Sequence, residues 1–281
     1  MGMRSLVRRR TALRAGTLAG AVLCLGVVAG CGSDSSDESA AAGGSSSKPL
    51  RVGTAASPPW VLFDTGKNTY FGPTVTLFDA IGKKLGRKVE YVNTSYATAI
   101  ASLQTDKFDI IGLPLYPTPE REKAIDFINW TQSGTCFFSL KDNAKLQSVD
   151  DLHSDLKIAA RAGSAPATQI PKEYPETKVY TIQTEGTQSP VQEVLSGRAD
   201  AAEIDAPLAY KYTKVYDKAT TVPPPDECIA KPLLASPIGM GIPKDMPQET
   251  RDQIKSVLSE LDSQLQDELK QYSAPKYIEI Q

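Results

Sequence analysis

The chain has 281 residues, with 31 Lys+Arg against 33 Asp+Glu, one His and four Cys, and 41% of it is hydrophobic. That is the composition of a globular protein. The single His153 rules out a histidine metal cluster, the cysteines at 24, 31, 136 and 228 lack the CxxC spacing of a zinc ribbon or redox pair, and a formal charge of −2 does not suit nucleic acid. Neither a metal nor a cofactor is expected.

Residues 1–30 read as an export signal. Arg4, Arg8, Arg9, Arg10 and Arg14 form a basic head, and Ala15 to Gly30 is an apolar run of small and branched residues. That run is too rich in Gly and Ala for the ~20 strongly apolar residues of a spanning helix. Arg9-Arg10 partly resembles a twin-arginine signal without its usual Phe, so general secretion is the first choice. Val28-Ala29-Gly30-Cys31 resembles the bacterial lipobox, which implies cleavage before Cys31 and lipidation of its sulfur. Residues 31–48 are Ser, Gly, Ala and acidic residues, too polar to bury a core, and read as a flexible tether. Removing the leader leaves 26 basic against 33 acidic residues, a formal charge of −7. The expected location is extracytoplasmic, at the cell membrane, on a lipid anchor.

From Leu50 the chain alternates strands and helices. Leu50–Thr54 reads as a strand, Ser57-Pro58-Pro59-Trp60 as a loop, and Pro73–Leu85 as a helix with apolar spacing at Val75, Phe78, Ile81 and Leu85. A strand at Lys88–Asn93 follows, then a helix capped by Ser95 and a buried strand at Phe108–Leu113. Strand Cys136–Leu140 precedes a second run: strand Lys157–Arg161, helix Ala165–Glu173, strand Lys178–Ile182 and helix Pro190–Ser196. Strand Ala199–Ile204, helix Ala206–Thr213 and strand Ile238–Ile242 complete it. A final helix, Gln248–Tyr272, carries one apolar stripe from Ile254 to Leu269. This order predicts an α/β protein of two units, with ligand sites at the C-terminal ends of strands and between the units.

The segments Leu50-Arg51-Val52-Gly53-Thr54, Phe71-Gly72, Leu103-Gln104, Phe108-Asp109-Ile110-Ile111, Thr118-Pro119-Glu120-Arg121, Asp126-Phe127, Gly163-Ser164 and Gly197-Arg198-Ala199-Asp200 to Asp205 fall in a recognisable order. Together they resemble the extracytoplasmic solute-binding proteins of ABC importers, polar amino-acid type, over residues 49–272. The resemblance implies a two-lobed, type II periplasmic-binding-protein-like fold: two mainly parallel sheets with flanking helices, joined by a two-strand hinge. Lobe 1 would comprise residues 49–137 and 238–281, and lobe 2 residues 138–237, with crossings near Thr135–Leu140 and Ser236–Gly241. It also implies a monomer that hands an amino-acid-like solute to a membrane permease and catalyses nothing. Two alternatives share the fold: an enzyme resembling cyclohexadienyl dehydratase, and a lobe that presents ligand to a receptor.

The same resemblance nominates the site. Arg121 matches the arginine that grips a ligand α-carboxylate, as a guanidinium's paired donors suit two oxygens; an ion pair with Glu120 or Glu122 is the alternative. Asp205 matches the aspartate that takes the α-ammonium, or else it caps the helix at Ala206. Tyr96 stands where an aromatic stacks on the ligand, and Ser164 where a hydroxyl meets the carboxylate, or caps its own helix. Trp60 is a ligand candidate at a position more often packed in the core. Glu203 shares a strand face with Asp205, facing a cationic ligand or forming a surface salt bridge. Pro114 and Tyr116 stand where serines are usual, so Tyr116 joins the candidates and a reshaped, more aromatic pocket is expected. Cys136 and Cys228, both near the crossings, are the thiols left for a disulfide in an exported chain.

Overall fold

The computed structural model describes residues 48–184 and 186–273. The signal segment, the lipobox with Cys31 and the tether up to residue 47 lie outside the described residues.

Strand β1 (Leu50–Thr54) leads into the hairpin β2 (Leu62–Asp64) and β3 (Thr69–Phe71), then α1 (Pro73–Lys84), β4 (Val89–Asn93), α2 (Ala99–Gln104) and β5 (Ile110–Leu115). The short helix α3 (Pro119–Ala124) feeds β6 (Asp126–Leu140), the longest strand. After a 3₁₀ turn come β7 (Lys157–Arg161), α4 (Ala165–Glu173), β8 (Lys178–Ile182), α5 (Gln188–Leu195) and β9 (Ala201–Asp205). The chain closes with α6 (Ala209–Val215), β10 (Ala219–Val222), α7 (Pro225–Ala230), β11 (Leu233–Ile242) and α8 (Gln248–Ser273).

Nine strands form one mixed sheet in the order β4-β1-β5-β11-β6-β9-β7-β8, with β10 on β6. Parallel pairs flank both ends: β1 with β4 and β5, and β7 with β8 and β9. The two expected lobe sheets are thus present but hydrogen-bonded into one. The reason is the pair β6–β11, which runs antiparallel from Asp126↔Ile242 to Thr135↔Leu233, after which β6 continues beside β9 and β10. Sequence reading found only the apolar ends of these two strands. Their middles are polar (Asn129, Gln132 and Ser133 in β6), and only mutual pairing makes them strands.

Each end of the sheet has its own core. At the first, Leu50, Val52, Leu77, Phe78 and Ile81 pack with Met240, Ile254, Val257 and Leu265, so the α8 stripe covers α1 and meets β6. At the second, Cys136, Phe138, Val191, Ile204, Tyr212 and Cys228 form one cluster, and Phe137, Leu152, Ile158 and Ile170 another. We call these ends lobe 1 and lobe 2. Cys136 of β6 and Cys228 of α7 are disulfide-bonded, with Cα atoms 6.0 Å apart, as expected from the sequence. Pro114 lies inside β5, where the ladder to β11 slips between Gly239 and Gly241, so its missing N–H falls at an irregularity.

Candidate ligand-binding site

On lobe 1 the motif Thr118-Pro119-Glu120-Arg121 is a helix start. The Thr118 hydroxyl accepts the Arg121 N–H at 3.3 Å, and Pro119 takes the first turn, where a missing N–H costs nothing. This cap fixes the direction of Arg121. Its guanidinium donates to the Tyr116 carbonyl at 2.7 Å and, across the gap between the lobes, to the Gly163 carbonyl at 2.7 Å. Neither Glu120 nor Glu122 pairs with it; Glu120 instead faces Lys172 of α4 at 3.7 Å. Arg121 is therefore a half-buried cation held, among the described residues, by carbonyls alone. Burial and the neighbouring Arg161 both push its pKa down, with the Tyr96 phenol opposing them. Tyr96 is buried beside it, its hydroxyl 2.8 Å from that of Ser57, and burial pushes its pKa up to about 12.

On lobe 2 the parallel strands β7 and β9 end side by side, and their last residues carry the charge. Arg161 donates through Nε to Glu203 at 2.7 Å and through Nη2 to Asp205 at 3.1 Å. All three are buried: the side chains are 3%, 0% and 5% exposed. One guanidinium thus serves two carboxylates. Desolvation raises the Asp205 pKa to about 6 against the pull of Arg161, and the Glu203 charge adds to the rise. Asp205 caps nothing: the turn at Ala206 receives no side-chain bond from it. Its Oδ1 is taken by Arg161, and Oδ2 makes no hydrogen bond among the described residues.

Arg161 was missed at the level of sequence. It was read only as the last residue of a strand, although a charged residue at the C-terminal end of a buried parallel strand is itself a signal. Glu203 needs correction too. It makes no surface salt bridge, because β9 is buried along its whole length. Ser164 is the cap of α4, accepting the Ala167 N–H at 3.3 Å, while its own N–H goes to the Arg161 carbonyl at 3.2 Å. Trp60 is 2% exposed in the lobe 1 core, and lines a different cavity of about 700 Å³ together with Ser133, Tyr210 and Leu269. It does not join the charged cluster. Tyr116 does: its phenol lies in the fields of Asp205, Arg161 and Glu203, and burial raises its pKa well above the usual value. Its buried hydroxyl lies beside that of Ser133, and Glu203 Oε2 is buried without a hydrogen-bond partner among the described residues.

The lobes are closed upon each other. Besides Arg121 to Gly163, the Arg161 guanidinium lies 5.2 Å from the centre of the Tyr96 ring, a cation–π contact from lobe 2 to lobe 1. Gly163 has φ +75°, and a Cβ there would come within 2.7 Å of Ala97 Cα. Only glycine lets the β7–α4 turn approach the start of α2 so closely.

Among the described residues no cluster of His, Cys, Asp and Glu could hold a metal, and no helix is long and apolar enough to cross a membrane. The family model for bacterial extracellular solute-binding proteins, family 3, matches residues 50–274. The probable amino-acid-binding protein YxeM of Bacillus subtilis is 31% identical over 183 residues, 63% of this chain and 65% of YxeM, so the alignment spans a little under two thirds of that relative. The arginine-binding extracellular protein ArtP of the same organism is 29% identical over 187 residues, 66% of this chain and 71% of ArtP. The crystal structure of an ancestral amino acid-binding protein, a precursor of cyclohexadienyl dehydratase, superposes with a TM-score of 0.67 at 33% identity, covering 80% of this chain and 96% of that one. With a two-lobed α/β fold, charged groups gathered where the lobes meet and a family match over four fifths of its length, this chain belongs to the bacterial extracellular solute-binding proteins of family 3.

Proposed function

We propose that the protein captures an amino-acid-like zwitterion between its lobes and delivers it to an ABC permease, anchored outside the membrane through a lipid on Cys31. Arg121 receives the α-carboxylate, and Asp205 Oδ2 receives the α-ammonium. Tyr96 forms the wall between them, with Tyr116 beside Asp205 and the Ser164 turn closing over the ligand. Residues 49–137 and 238–281 act as one jaw and 138–237 as the other, with β6 and β11 as the hinge. The protein releases its ligand chemically unchanged, since Glu203 and Asp205, the buried acids among the described residues, are both bound by Arg161.

One observation supports this reading: Arg121, a cation without an acidic partner among the described residues, and Asp205, a carboxylate with one oxygen unused, lie on opposite lobes and both act on the buried Tyr96 phenol. A ligand bearing both charges completes both groups and bridges the lobes, so binding favours the closed state. Calorimetric titration with the twenty amino acids should find at least one that binds, and Arg121→Ala should lose that binding by about 100-fold or more, the worth of a charge-assisted bidentate pair. Unchanged affinity in the variant would refute the role of Arg121, and a mass change in the recovered ligand would refute the carrier reading.

A further inference from the structure

We infer that Arg161 is the specificity-determining residue of this cleft, and that it selects zwitterions with uncharged side chains against the cationic amino acids. The inference rests on the reading of the site given above and names the class of ligand it takes.

The first support is charge balance. The cleft holds two guanidiniums, Arg121 and Arg161, and two carboxylates, Glu203 and Asp205, which sum to zero. A neutral amino acid adds one positive and one negative pole and leaves that balance intact. An arginine or lysine ligand adds a further positive charge inside a desolvated closure. Among the described residues no uncompensated buried acid remains for it, because Arg161 offsets both buried carboxylates and the free oxygen of Asp205 goes to the α-ammonium. Isolated buried charge is the costly case.

Space and polarity are the second. Arg161 lies over the Tyr96 ring, so the ring face that could stack against a ligand cation is covered by the protein's own guanidinium. Arg161 stands, in effect, where the positive end of a basic ligand would be best received, against an aromatic face and two carboxylates. Tyr116, in the field of Arg161, has its hydroxyl beside that of Ser133, and Glu203 Oε2 is buried without a hydrogen-bond partner among the described residues. Tyr116 and Ser133 are uncharged, and hydroxyls both donate and accept, so this side of the cluster suits a short polar or small apolar side chain. Ala55, also buried in the cluster that contains Tyr96, adds no charge on the lobe 1 side.

The test is competition between ligand classes in the folded full chain. Glutamine, serine, alanine, arginine, lysine and glutamate are titrated calorimetrically against the wild type, Arg161→Lys and the double variant Arg161→Met/Glu203→Gln. The double variant removes one charge of each sign, so it avoids leaving two buried carboxylates without a cation. The wild type should bind its best neutral ligand about 100-fold more tightly than arginine or lysine, the scale set by burying one unpaired charge. Arg161→Lys keeps the charge and should keep the preference. The double variant frees Asp205 and the Tyr96 face, and should bring arginine to within tenfold of the neutral ligand. Wild-type binding of arginine or lysine within tenfold of every neutral amino acid would overturn the inference and leave the carrier function standing. Binding of no amino acid at all would overturn both.

Discussion

Asp205 carries two pH dependences of opposite sign. Its folded-state pKa, about 6, lies above the ordinary 3.8, so the folded protein holds that proton more tightly than the unfolded chain does. Its contribution to stability is therefore fully present below about pH 4 and is lost as pH rises through 6. Ligand binding runs the other way, because an ammonium needs the ionised carboxylate. Affinity for a zwitterion should fall as pH drops from 7 to 5, and Asp205→Asn should bind more weakly and flatten that profile; calorimetry across this range checks both. Other carboxylates do structural work with the usual sign. Asp109 joins Arg51 at 2.7 Å and Arg87 at 2.6 Å, and Asp126 joins Arg251 at 2.9 Å; these cations hold both acids below their ordinary range. The paired acids of the Phe108-Asp109 and Asp126-Phe127 motifs thus hold lobe 1 together rather than touch ligand. Spacing alone does not say which end of a strand meets the cleft; only the resemblance sets Asp205 apart from these two acids.

At the scale of elements, β6, β11 and α7 decide how the hinge is held. The Cys136–Cys228 disulfide closes a loop of 92 residues, enclosing β7 to β10, and ties α7 to β6 just before β11 returns the chain to lobe 1. Loop-closure entropy gives such a link about 4–5 kcal/mol. Reduction, or Cys136→Ala with Cys228→Ala, should lower Tm and the denaturant midpoint by a corresponding amount, mostly through unfolding of lobe 2. An unchanged melt would mean that packing in the Phe138–Ile204–Tyr212 cluster suffices without the bridge. The α8 stripe was legible because a 26-residue amphipathic helix repeats its signal over seven turns. By contrast, the β2–β3 hairpin, β10, α3 and α7 are only three to six residues long. Elements that short carry too few periods to stand out from a loop.

For the whole molecule, the question is how two lobes joined by a continuous sheet come together. Among the described residues the polar contacts that span the cleft are Arg121 to Gly163, Arg161 over Tyr96 and Glu120 near Lys172, and Ala165 of α4 packs into the lobe 1 core. Exposed ion pairs such as that of Glu120 with Lys172 contribute little. Closure therefore leans on the approach of Gly163 to Ala97, on the packing of Ala165 and on whatever bridges the charged groups. Gly163→Ala puts a Cβ 2.7 Å from Ala97 Cα and also strains a left-handed turn. The variant should stay folded, with a larger radius of gyration in small-angle scattering when ligand is present, and its affinity should fall about tenfold or more. A compact, tight-binding Gly163→Ala protein would show that the lobes do not meet at this turn.

The amino-acid order alone determined the alternation of strands and helices, the two units, the α8 stripe, the thiols that pair, and the placing of Tyr96 and Asp205 at element ends. Those features depend on short-range periodicity, on caps and on the count of thiols, all of which are written locally. The tertiary structure alone decided that the two sheets are one, that Trp60 lies in the core, that the Ser164 hydroxyl serves its helix, and that Arg161 is the counter-ion of both Glu203 and Asp205. Those facts depend on which strands become neighbours. Arg161 and Asp205 are 44 residues apart along the chain and 3.1 Å apart in space. The energy of a buried charge is set by that distance and by the water excluded around it, and neither has a one-dimensional signature.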